Sequence, residues 1–233
     1  YLMKRLVLIL FICATTMVSA QDYLGFQFGY AQPMTRLNSP TAKTTLTPTL
    51  YNGFKVGLMY ETTIVKGFGV TMGLNYTFGA NTSDWSSIGK LPYPQTRSKS
   101  FYHQLEIPID WQYKFEIAQN TWVILYTGPT LQCGLDFSKK SFITNNGKEV
   151  TLASENNVFS VDDMKDYTLK RINVTWGIGA GFQYERYFIR GGYDFGIINP
   201  YKAQSFTTGD EHYTRGRFDQ WQIKLGMYIW QTK

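Results

Sequence analysis

Between Phe101 and Phe115 every odd position but one is apolar or aromatic: Phe101, Leu105, Ile107, Ile109, Trp111, Tyr113 and Phe115, with His103 the exception. The even positions Gln104, Glu106, Asp110, Gln112 and Lys114 are polar or charged. A period of two sends alternate side chains to opposite faces of a β-strand. At about 3.3 Å per residue the run is roughly 50 Å long. Strands in water-soluble domains usually hold about five or six residues. A strand that crosses a bilayer needs about 9–11, with one face apolar throughout. This segment therefore points to an all-β chain built from long, two-faced membrane strands.

The first twenty residues stand apart. Lys4 and Arg5 precede an apolar stretch from Leu6 to Met17, and Val18-Ser19-Ala20 offers small residues for cleavage before Gln21. That is the pattern of a secretory signal peptide, too short to span a bilayer as a helix. Removing residues 1–20 from 233 leaves 213, enough for one barrel domain over 21–233. Without Lys4 and Arg5 the basic residues fall from 23 to 21 against 17 acids, a net charge of about +4. That mild surplus, with no basic run or basic helix, does not suggest nucleic acid. Cys13 follows bulky Phe11 and Ile12, unlike a lipid-attachment cysteine, and Cys133 alone remains, so no intramolecular disulfide is expected.

Eight alternating stretches follow one another, at roughly 22–31, 51–64, 68–79, 101–116, 121–137, 171–184, 187–196 and 217–230. Tight connections near Lys66-Gly67, Ala118-Gln119-Asn120 and Glu185-Arg186 alternate with long ones at 32–50, 80–100, 138–170 and 197–216. The long connections hold Pro33, Pro40, Pro48, Pro92, Pro94 and Pro200, six of eight prolines. Short turns on one side and long loops on the other describe an eight-stranded antiparallel up-and-down transmembrane β-barrel of the outer membrane. An even strand number puts both termini on the short-turn, periplasmic side.

Alternation alone does not say which face points inward, since a soluble barrel alternates with its apolar face inside. Two features decide. Phe26, Phe28, Tyr30, Phe54, Tyr60, Tyr76, Phe78, Trp176, Phe182, Tyr184 and Trp221 crowd the apolar faces, and eight strands cannot enclose so many rings. Gly25, Gly29, Gly57, Gly73, Gly177, Gly179, Gly181, Gly192 and Gly226 occupy the polar faces, and glycine belongs where space is scarce. The polar face is read as the lumen.

Four phrases resemble a known family: Leu105-Glu106-Ile107-Pro108-Ile109, Tyr126-Thr127-Gly128-Pro129, Gly177-Ile178-Gly179-Ala180-Gly181-Phe182-Gln183-Tyr184-Glu185, and Arg190-Gly191-Gly192-Tyr193-Asp194-Phe195-Gly196. In this order they are similar to the outer-membrane β-barrel domain family of Bacteroidota, often labelled porin-like or PorT-like. The resemblance covers nearly all of 21–233. It implies an eight-stranded outer-membrane barrel with no shared catalytic residues to carry over; one branch is tied to type IX protein secretion. Many such barrels end on an aromatic residue. Here Gln231-Thr232-Lys233 follows Trp230, which falls on the inward parity unless the last strand shifts at its end.

The lumen parity gathers Lys55, Glu61, Glu106, Asp110, Lys114, Arg190, Asp194 and Lys224, four acids and four bases. Charges in a narrow bore must pair or become costly, so a cross-linked plug is expected; a gated ion path lined by Glu106, Asp110 and Arg190 is the functional alternative. Gly177, Gly179 and Gly181, spaced by two with no helix after them, do not make a dinucleotide loop. His103, with Ser98 and Ser100 near it in sequence, and His212 have no acid placed beside them, which argues against a lipid-modifying active site. Asp162, Asp163 and Asp166 lack the frame of a calcium loop. Bulges are expected at Pro108 and Pro129, which sit inside strands. Tyr30, Tyr51, Tyr102, Trp122, Tyr184, Tyr187 and Trp230 fit interfacial girdles, and Cys133 takes the lipid parity.

The outer-side bases Arg36, Lys43, Lys90, Arg97, Lys99, Lys202, Arg215 and Arg217 suit either loop solubility or contact with glycolipid phosphates. No cofactor or metal is implied. The functional expectation is a non-enzymatic outer-membrane protein with a filled polar lumen, in contact with outer-membrane lipid and glycolipid. Its loops or barrel wall would meet a protein partner, as an accessory to a larger complex. The alternative is a narrow porin-like channel for small solutes or ions.

Overall fold

Eight antiparallel strands carry the chain: β1 (Gln21–Asn38), β2 (Asn52–Val65), β3 (Phe68–Thr82), β4 (Gln95–Ala118), β5 (Thr121–Asn145), β6 (Ile172–Tyr184), β7 (Tyr187–Gly196) and β8 (Arg215–Gln231). The computed structural model describes residues 21–38, 49–65, 67–83, 86–87, 95–145, 148–155, 169–200 and 215–232. The expected signal peptide, His212, the aspartates at 162, 163 and 166, and Lys43, Lys90 and Lys202 lie outside the described residues.

Each strand pairs with the next, and β8 pairs with β1 from Tyr23↔Gln231 to Asn38↔Arg215. The ring is closed, so within it no strand leaves its hydrogen-bonding edge facing lipid. Tracing partners once around from Tyr23 passes Glu61, Thr71, Asp110, Gly128, Gly177, Asp194 and Gln220, and returns to β1 at Pro33. That stagger of ten residues tilts the strands and, with eight of them, leaves a bore that side chains fill.

Each of the three tight turns holds one residue in left-handed backbone, which Gly and Asn favour and Glu does not. Gly67 has φ 87°, Asn120 φ 57° and Glu185 φ 51°. The Glu185 amide donates to the Asn120 carbonyl at 2.8 Å, tying two neighbouring turns together. On the opposite side several strands outrun their expected ends. β4 begins at Gln95 and β5 reaches Asn145, while Lys148–Glu155 folds back along β5 and Ser86–Ser87 pairs with β4. The connection expected at 138–170 is therefore partly a β-ribbon, and Pro33 lies within β1 rather than in a loop.

Burial is inverted relative to a water-soluble domain. Phe28, Leu58, Leu74, Ile109, Trp111, Trp176, Ile178, Leu225 and Ile229 are exposed, whereas Lys55, Glu61, Glu106, Arg190 and Lys224 are buried. A continuous apolar band outside and ions inside is the solution a bilayer selects.

Two expectations are corrected here. The β4–β5 register runs unbroken through Pro108 and the β5–β6 register through Pro129, so neither proline makes a bulge; Pro108 is accommodated because Gly73 faces it without a Cβ. Register shifts fall instead at Thr63–Val65, His103–Gln104, Glu116–Ala118 and Ser141–Phe142. A further one, between Leu24 and Gly25, lies opposite the end of β8. It shifts the parity there, so Ile229 and Trp230 are both exposed and Trp230 faces outward.

Candidate functional site: the lumen

The lumen is layered along its axis. Toward the tight turns, Tyr23, Phe188 and Tyr228 pack together with Met59, with ring centroids 5.0 Å apart for Tyr23–Tyr228 and 4.9 Å for Phe188–Tyr228. Toward the long connections a second aromatic layer joins Tyr51, Tyr102, Phe137 and Phe218, the closest pair being Tyr102–Phe218 at 5.3 Å. Tyr51 and Tyr102, expected in an outer girdle, instead face inward and are buried. The polar network lies between these two layers.

Glu61 on β2 anchors its lower part. It pairs with Lys114 from β4 and with Arg190 from β7 at 3.0 Å, and accepts the Tyr228 hydroxyl at 2.5 Å. Arg190 also donates to Gln112 at 2.9 Å, and Lys114 to Gln183 at 2.8 Å. Glu106 on β4 anchors the upper part. Lys55 donates to it at 2.5 Å and to the Gln222 amide oxygen at 2.6 Å, while Thr77 and Gln104 donate to Glu106 at 2.8 and 2.6 Å. Gln222 and Gln220 then donate to Asp194 at 3.0 and 3.4 Å.

All eight charged residues assigned to the lumen from parity lie inside it and are buried except Lys114, which is 8% exposed in its side chain. The structure joins Lys55 to Glu106 and Lys114 and Arg190 to Glu61. It does not put Asp110, Asp194 or Lys224 in an ion pair among the described residues. The sequence reading missed the glutamines. Gln104, Gln112, Gln183, Gln220 and Gln222 each bond a charged group and Gln27 bonds Asn75, and their inward parity was the available signal. It also missed that glycines make room for inward rings: a Cβ on Gly179 would collide with the Tyr126 ring, and one on Gly226 with Phe188.

On the outer wall, the Tyr76 hydroxyl and His103 Nδ1 are 2.5 Å apart, and the register sets Asp136 opposite His103. Ser98 and Ser100 have the opposite parity, and Ser98 bonds to Ser83. Cys133 is exposed on the lipid side.

Residues 18–202 match the family model described as outer membrane protein beta-barrel domain. No curated protein matches the chain. Among solved structures the chain is similar to Ail, the attachment invasion locus protein of Yersinia pestis, in complex with the heparin analogue sucrose octasulfate. That pair is 12% identical over 90% of this chain and 99% of that chain, with a TM-score of 0.40. Neisserial surface protein A is 12% identical over 88% and 97%, with a TM-score of 0.37. The N-terminal β-barrel domain of Pseudomonas aeruginosa OprF is 9% identical over 87% and 97%, with a TM-score of 0.26.

Proposed function

Because the chain belongs to the outer membrane protein beta-barrel domain family, we propose that it is a non-enzymatic integral outer-membrane protein with a sealed lumen and a recognition surface outside. Both termini lie in the periplasm, and the strand extensions and long connections face the cell exterior, where they engage a partner. In this reading the barrel is an accessory to a larger outer-membrane complex, of the PorT-like kind found in Bacteroidota.

The observation that carries the sealed lumen is the span of its network. Gln220 of β8 meets Glu106 of β4, and Arg190 of β7 meets Glu61 of β2, so bonds cross the bore instead of following its wall. Buried charges held this way are costly to separate, because each would be left without its partner. Transport along the axis would have to break both networks and part both aromatic layers. Single-channel recording in planar bilayers tests this. No steady open state is expected, and a stable conductance at low voltage would replace the reading with a narrow channel.

A further inference from the structure

Asp219 lies on the same odd phase of β8 as the lipid-facing Trp221, Ile223 and Leu225, yet it is fully buried. Four groups close over it on the outer wall. Arg36 Nε is 3.0 Å from Oδ2, Arg217 Nε is 2.8 Å from Oδ1, the Tyr193 hydroxyl donates at 3.0 Å, and the Gly196 amide donates at 3.0 Å. The β1–β8 register sets Arg36 directly opposite Arg217. Two like charges in facing positions repel, and the shared carboxylate holds them together.

The cluster sits where apolar wall gives way to polar surface. Next along the seam, Trp221 packs tilted against Tyr30 with centroids 5.1 Å apart, its indole N–H donates to Gln32, and Tyr30 donates to Asn52 at 2.6 Å. Aromatic side chains with a polar tip mark the headgroup level of a bilayer. Two guanidiniums and one carboxylate leave one positive charge there. Both arginines address Asp219 through Nε, and their side chains remain 39% and 45% exposed. Arg36 spends one terminal nitrogen on Tyr193 at 3.4 Å; the terminal nitrogens of Arg217 have no hydrogen bond among the described residues. Arg97, also on the outer side, differs: its Nη2 donates to both Glu149 oxygens at 2.8 and 2.7 Å.

A guanidinium presents a planar fork that matches a phosphate, and basic side chains at a membrane surface favour anionic headgroups. We propose that Arg36 and Arg217, fixed by Asp219, form a binding site for the phosphate of an outer-leaflet glycolipid, whose acyl chains lie along Phe28, Ile223 and Leu225. This rests on the proposed orientation, with the long connections outside the cell.

Native mass spectrometry of the detergent-solubilised barrel tests the site with bisphosphorylated lipid A, dephosphorylated lipid A and inorganic phosphate. The wild type is expected to retain bisphosphorylated lipid A. Arg36→Gln with Arg217→Gln should weaken binding about tenfold or more, as expected for the loss of two charge-assisted hydrogen bonds. Because that variant leaves Asp219 uncompensated, a triple variant adding Asp219→Asn should fold, as judged by heat-modifiable gel mobility, and bind as weakly. Arg97→Gln with Lys99→Gln should bind like the wild type. The proposal is overturned by wild-type binding in the triple variant, equal retention of dephosphorylated lipid A, an equal loss with the Arg97 and Lys99 pair, or displacement by free phosphate at the lipid's concentration. Orientation is read separately, by membrane-impermeant maleimide labelling of Ala153→Cys in a Cys133→Ser background on intact cells. Labelling only after lysis would sink the orientation without touching the binding result.

Discussion

Gln220 on β8 reaches Glu106 on β4 at 3.3 Å, although the two strands are four places apart whichever way the ring is followed. The bore is narrow enough for one side chain from each wall to meet near its axis. Glu106 also holds Lys55, so its removal affects more than one bond. Glu106→Ala leaves the Lys55 ammonium buried without its carboxylate, and a loss of about 3–5 kcal/mol is expected. Urea unfolding in detergent or bilayers reads it. Lys55→Met combined with Glu106→Leu should recover much of that loss, since an apolar pair of similar volume replaces an ion pair at little cost. An unchanged unfolding midpoint for Glu106→Ala would contradict the network.

Gly226 and Phe188 make a second relationship of this kind. The Phe188 ring lies where a Cβ on Gly226 would stand, and the Phe26 carbonyl is 2.6 Å from the same point. Gly226→Val is expected to cost about 1–3 kcal/mol by overpacking. Phe188→Leu in the same chain should relieve part of it, giving a favourable coupling in a double-mutant cycle. Strict additivity would mean that the ring and the glycine do not share space.

The outer wall predicts a depth profile. Leu225 lies in the middle of the apolar band and Ile117 beside a tight turn, and both are exposed. Leu225→Arg should destabilise the folded barrel in lipid by about 2–4 kcal/mol, and Ile117→Arg by about 0–1 kcal/mol. Equal costs at the two positions would place the membrane elsewhere on the wall.

Much of this was legible from period-two alternation, because burial in a barrel of this size is set strand by strand. Bulky residues on one phase and glycines on the other fixed which face is the lumen, and parity alone located Lys55, Glu61 and Arg190. What parity could not carry was any break in itself. The irregularity at Leu24 and Gly25 turns Trp230 outward, and it depends on how β1 meets β8 across the full length of the chain. Asp219 was missed for a related reason. Its phase assigns it to lipid, and only the register that brings Arg36 across the seam shows how the charge is covered. Lys148–Glu155 does alternate Val150 and Leu152 with Thr151 and Ala153, but its length and polar flanks are those of a loop, and it is the extension of β5 beside it that makes it a strand. Tyr51 and Tyr102 stand near strand ends as girdle residues do, and their inward phase gave the better guide.

Large apolar rings face outward, where acyl chains would lie, while the charged side chains fill the axis. A protein with Trp111 as its single tryptophan, reconstituted in lipids brominated along the acyl chain, tests this directly. Strong quenching by the brominated lipid, with blue-shifted emission and little quenching by aqueous iodide, is the predicted result. Emission untouched by bromine and quenched by iodide would put Trp111 in water or in the bore, and would rule out this arrangement.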